Sequence, residues 1–91
     1  MSLSESNKKF LLDLIDYYAK SSSSYKHIAT SYSKEHSLID TTFGIILGCL
    51  YSSFLQMYSN QKLEMTNQDM TDFNMVVLTK AGFLMDAIKK Q

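Results

Sequence analysis

Between Lys20 and His36 the sequence reads KSSSSYKHIATSYSKEH, with seven Ser and Thr hydroxyls, three lysines, two histidines and two tyrosines against one acid, Glu35. These are side-chain types that hold anions. The hydroxyls of Ser21 to Ser24, the backbone N–H groups where a helix starts near Tyr25, and the charge of Lys26 can together cradle phosphate oxygens. Tyr25 and Tyr32 are seven residues apart and so share a helical face, where a ring can stack on a base. Lys20, Ser24, Tyr25, Lys26 and Tyr32 are therefore the candidate contacts to a nucleotide-type ligand: Lys for charge, Ser for hydrogen bonds, Tyr for stacking. The competing reading of the same residues is a flexible polar linker.

Elsewhere the chemistry-bearing residues do not assemble. His27 and His36 are nine apart, a spacing that does not put both on one helical face, and a tetrahedral zinc site needs more ligands than they and Glu35 supply. Asp13 with Asp16, and Asp69 with Asp72, are acids three apart. Such pairs can hold a divalent cation, as in helical nucleotide pyrophosphatases, but those sites draw on Glu-rich patterns, and Glu5, Glu35 and Glu64 are widely separated. Solvated helix faces and compensation of helix dipoles account for the aspartates more simply. Cys49 lies in the apolar run ILGCLY and reads as a small core residue. There is no Gly-rich phosphate loop. Catalysis, a metal and a cofactor are not expected.

At 91 residues the chain is one domain, near the size where a single core gives only a few kcal/mol and association helps. Nine basic residues balance nine acids, so no global field points to a polyanion or a membrane surface. All nine are Lys. Without the planar fork of Arg, sequence-specific DNA reading is not expected. One cysteine forms no internal disulfide, and the charges in MSLSESNKKF interrupt the run a signal peptide needs, so a cytoplasmic location is expected. The uncharged stretch from Thr41 to Gln61 is long enough to span a bilayer. Ser52, Ser53, Gln56, Tyr58 and Asn60 dilute it, which favours a buried helix over a membrane segment.

With no proline and three glycines, little punctuates the chain, and helical spacing recurs along most of it. The pattern predicts an all-α fold, a small three- to four-helix bundle with a central antiparallel hairpin completed by oligomerisation. Helices are expected at about 4–20, 24–37 (polar and weaker), 41–60 with Asp40 as N-cap, and 67–90. In the first, Phe10, Leu11, Leu14, Ile15 and Tyr18 form a stripe wide enough to suggest burial both within the domain and against a neighbour, so Phe10, Leu14 and Tyr18 are candidate interface residues. In the third, Gly44, Gly48 and Ser52 recur every four residues. Side chains that small permit close helix approach, and packing inside a soluble bundle is the preferred reading, with Gly44 and Gly48 also interface candidates. Met57, Met65, Met70, Met75 and Met85 read as core filling. In the fourth, Met70, Phe73, Val77, Ala81, Leu84 and Ile88 step by three or four, led by Thr66 and Asp69 as a capping box. A short connection makes the last two helices neighbours, with the first packed across them.

The arrangement MTNQDMTDFNMVVLTKAGFLM, Met65 to Met85, resembles the final helix of small phage-encoded all-helical proteins of unassigned function through Thr66, Asp69 and Lys80-Ala81. The spacing from Asp69 to Lys80 is longer than in that pattern, Phe83 stands near the place of its closing arginine, and Ser-Ser replaces its upstream Gly-Asp. The resemblance implies a phage or mobile-element origin and action by stoichiometric binding, either as an anti-defence sponge for cyclic nucleotide immune signals or as a blocker of a host protein. The leading expectation is accordingly a non-catalytic helical homo-oligomer that sequesters a nucleotide-type anion. The alternative is a protein-interaction module, inhibitor or adaptor using an apolar helix face, and the third is a divalent-metal nucleotide pyrophosphatase.

Overall fold

Three of the four helices among the described residues begin at a residue whose side chain caps them. In a computed structural model that describes residues 3–91, Ser4 accepts from the Asn7 N–H to open α1 (Glu5–Lys20), and Ser37 accepts from the Asp40 N–H to open α3 (Leu38–Asn60). Ser37 thus takes the capping role that the sequence suggests for Asp40, which lies in the first turn and faces the helix dipole favourably. Thr66 opens α4 (Asn67–Lys90) with a full capping box: its hydroxyl accepts from the Asp69 N–H, and the Asp69 carboxylate accepts from the Thr66 N–H. The fold is all-α, with no strand among the described residues.

The serine run is neither a linker nor a loop. Ser21 breaks the helix at φ −96° and ψ 8°, and α2 (Ser22–Ala29) restarts at once. The second helix therefore starts earlier than its apolar spacing suggests and ends well before His36. Its backbone continues as turns through His36, with Tyr32 N–H donating to Ala29 and His36 N–H to Ser33. At the other connection, Lys62 N–H donates to Ser59 and Leu63 N–H to Tyr58, while Lys62 adopts φ 58°. This is a Schellman closure, in which the left-handed position normally belongs to glycine.

One chain of contacts fixes the topology. The Asn7 and Gln61 amides exchange hydrogen bonds at 3.1 and 3.4 Å, Tyr18 meets Ser53 at 3.2 Å, and Ser22 Oγ donates to the Ala87 carbonyl at 3.4 Å. Thus α1 and α2 run alongside α4 in the same direction, and α3 runs antiparallel to both. The closest associations are α1 with α4 and α2 with α3; the α3–α4 hairpin is present but is not the most extensive packing. Leu11 and Ile15 of α1, Ile46, Leu50 and Phe54 of α3, and Phe73, Val77, Leu84 and Ile88 of α4 form the core. Phe54 sits at its centre, with ring centroids 5.2 Å from Phe73 and 5.1 Å from Tyr58. Aromatic pairs at such tilted distances add modestly to area burial.

Candidate functional site

The five residues proposed for an anion take different roles. Lys26 Nζ donates to the carbonyl oxygens of Ile88 at 3.1 Å and Gln91 at 3.0 Å, closing the C-terminal end of α4. A cation there answers the negative pole of the helix, so its charge is already committed. Tyr25 packs edge-on against Tyr18 at 5.4 Å, and burial pushes its hydroxyl above 10.0, with Tyr18, Cys49 and Tyr17 adding to the effect. Ser22 is fully buried. Lys20 and Ser24 are exposed near the α1–α2 break, whereas Tyr32 is exposed in the following turns, beside Lys34, Glu35 and His36. The segment therefore anchors α2 to the end of α4, and its free groups do not converge on one point.

The five proposed interface residues divide as well. Tyr18 belongs to the interior, with its hydroxyl on Ser53, and Leu14 packs half-buried against the core. Phe10 stays exposed, as does Tyr17 on the same flank. Gly44 and Gly48 behave unlike core glycines: a Cβ added at either would meet nothing within 4 Å. Close packing inside the bundle does not explain them. They line instead an open groove of about 390 Å³ with Leu47, Tyr51, Met70, Phe73 and Asn74.

That groove belongs to a wider feature of α3. Thr42, Ile46, Leu50, Phe54, Met57 and Tyr58 are buried along one side, while Gly44, Gly48, Tyr51, Ser52 and Leu55 face out. Its best window has mean hydropathy 1.6, long and apolar enough by composition to cross a membrane, yet only 22% of that window is buried. A helix apolar around its circumference ordinarily lies buried on all sides. Here one side is buried, Phe43, Leu47 and Cys49 on its flanks are half-buried against the core, and the strip of Gly44, Gly48, Tyr51, Ser52 and Leu55 is left open.

Asp13 and Asp16 lie on an exposed face of α1, whereas the second acid pair departs from a solvated face. Asp69 and Asp72 are both buried, Asp69 in the capping box and Asp72 accepting from Gln68 Nε2 at 2.9 Å. Asp69 borders a polar recess with Asn7, Tyr58 and Gln61, where burial first, and the Asp69 carboxylate second, hold the Tyr58 hydroxyl above 10.0, with the Asn7 hydrogen bond opposing. Among the described residues no three His, Cys, Asp or Glu side chains are grouped to hold a metal ion. Met57 is core, Met65, Met70 and Met85 are half-buried, and Met75 is exposed, so core filling describes only part of the methionine set.

Between α1 and α4 lies a further groove of about 270 Å³, lined by Lys8, Leu12, Met75, Val76, Thr79 and Lys80. Sequence reasoning missed it because Met75 was read as core filling, although the Lys8–Leu12 spacing of four residues carried the signal of a mixed basic and apolar edge. No family model, curated protein or solved structure matches the chain.

Proposed function

We propose that this chain is a non-catalytic helical docking module that binds a protein partner stoichiometrically through the outer face of α3. The observation carrying this reading is the mismatch between the apolar character of α3 and its one-sided burial. Interface centres are depleted in charge and enriched in aromatic and Met side chains. From Thr41 to Gln61 the chain has no charged residue, and the open groove presents Tyr51 and Met70 beside two glycines. An apolar partner helix lying over Gly44 and Gly48 can approach closely there.

Sequestration of a nucleotide-type anion is the competing reading, supported by the exposed Lys20 and Ser24 at the start of α2. It requires Lys26 to leave the Ile88 and Gln91 carbonyls, or to contact the anion beside the negative end of α4. A role against cyclic nucleotide immune signals follows only from this second reading. Leu55→Glu separates the two: the Leu55 side chain is 37% exposed, so the change costs about 1 kcal/mol of stability with the helical signal retained, and affinity capture should lose a partner that wild-type protein retains. Retention of that partner by Leu55→Glu would remove α3 as the docking face.

A further inference from the structure

The α3–α4 hairpin carries a hole and a knob on its outer side at the same height. Gly44, Leu47, Gly48 and Tyr51 stand at positions i, i+3, i+4 and i+7 of α3, the four that form a hole for a side chain of a facing helix. All four line the open groove of about 390 Å³, and a Cβ built on either glycine meets nothing within 4 Å among the described residues. The hole stands open. On α4, Asn74 lines the same groove and Leu78 follows it by four residues, which keeps Leu78 on that outer side. Its side chain is 73% exposed, more than any other large apolar residue among those described. The aromatic rings fix its height: Phe73 meets Tyr51 at 5.8 Å and Phe54 at 5.2 Å, so it is level with 51–54 of α3. Because the two helices run in opposite directions, Leu78, five residues further on, is level with 46–49, at the middle of the hole. Within one chain the knob and the hole lie side by side and face the same way, so Leu78 cannot fill its own.

We infer that the outer face of the hairpin binds a second copy of the chain, related by a two-fold axis parallel to the hairpin. Such an axis leaves heights unchanged and exchanges left for right. Each α4 then lies over the α3 of the other copy, and Leu78 of each enters the other's hole between Gly44 and Gly48. Neighbouring helices in the resulting four-helix arrangement all run antiparallel. The last turn of α4, which carries Lys89, comes over the first turn of the other α3, which carries Asp40, so opposite charges and opposite helix poles meet there. A two-fold across the hairpin would set α3 on α3 and Leu78 on the other copy's α4, away from the hole. Between the ends, the exposed Gly48, Tyr51, Ser52 and Leu55 of α3 and Thr71, Asn74 and Leu78 of α4 are uncharged, as interface centres are. The inference rests on the strip used in the docking reading and adds its regulation. A chain held in the dimer has that strip covered, so a different protein gains it only by displacing the second copy.

Sedimentation velocity on wild type and Leu78→Glu is the first test, with far-ultraviolet circular dichroism to check that the variant remains helical. Wild type should sediment as a dimer, and Leu78→Glu should weaken association at least about tenfold by setting a charge against an apolar hole. Wild-type protein that is monomeric throughout the accessible concentration range, or a Leu78→Glu variant that dimerises as wild type does, overturns the inference. Cross-linking tests the geometry independently of that variant. With Cys49→Ala in both chains, a chain carrying Leu78→Cys and a chain carrying Gly48→Cys should join as a mixed disulfide when an equimolar mixture is mildly oxidised. Absence of the mixed disulfide, or its formation no faster than links between identical chains, overturns the proposed axis. A wild-type monomer that still captures another protein refutes this inference alone, whereas a wild-type dimer that captures none refutes the docking reading alone.

Discussion

Gly48 is costly to its own helix and unexplained by it. A helix-interior glycine is worse than alanine by about 1 kcal/mol, and the usual compensation, close approach of a neighbouring element, is missing among the described residues. Gly48→Ala should therefore raise the stability of the isolated chain by about 1 kcal/mol, measured by chemical denaturation at low protein concentration, while weakening partner binding where the added methyl intrudes. Tyr58 gives a second residue-scale expectation, this one in pH. Burial and the Asp69 carboxylate both disfavour its phenolate, so its folded pKa lies above 10.0. Below the unfolded value the hydroxyl is neutral in both states and contributes no pH dependence. Above it the unfolded chain releases the proton first and binds fewer protons than the folded chain, so stability falls as pH rises from about 10 through the raised folded value. Tyr25, also raised by burial, adds to the decline. Thermal melts across that window should show a shallower loss in Tyr58→Phe than in wild type; an unchanged slope would mean that Tyr58 does not contribute to the decline.

At the scale of elements, helix existence was legible and helix starts were less so. The fourth helix was readable because Thr66 and Asp69 supply paired caps and its apolar residues recur at helical spacing through Ile88. The limits of α2 were not, because four consecutive serines leave no apolar period to follow, and the buried contact of Ser22 with the Ala87 carbonyl is long-range. Likewise Lys26 reads as a free charge in sequence, and only the arrival of the α4 terminus beside it turns it into a cap. Sequence spacing placed Gly44 and Gly48 on one face correctly but could not say whether that face looks inward. The α3–α4 connection supplies a test of local conformation. Lys62 occupies a left-handed position at φ 58° inside a Schellman closure. Since such a backbone costs a side-chain-bearing residue about 1 kcal/mol or more, Lys62→Gly should stabilise the protein by a comparable amount, partly offset by the greater freedom of glycine in the unfolded chain. A destabilised Lys62→Gly would show that the Lys62 side chain contributes more than its backbone conformation costs.

At the scale of the whole molecule, a 91-residue chain has a core centred on Phe54 and leaves two kinds of surface uncovered. One is the uncharged outer face of α3. The other is the groove between α1 and α4 lined by Lys8, Leu12, Met75, Val76, Thr79 and Lys80. Small domains bury a limited fraction of their surface alone, and both faces offer routes to bury more. The central claim is that the α3 face docks a protein, not that the lysine-rich segment holds a nucleotide. Native mass spectrometry of wild type, Leu55→Glu and Lys26→Glu, each as purified, tests it most directly. The account predicts a protein-sized mass beyond the chain's own copies that is lost from Leu55→Glu and kept by Lys26→Glu. A wild-type chain carrying no such mass, or a nucleotide-sized adduct removed by Lys26→Glu, would contradict it.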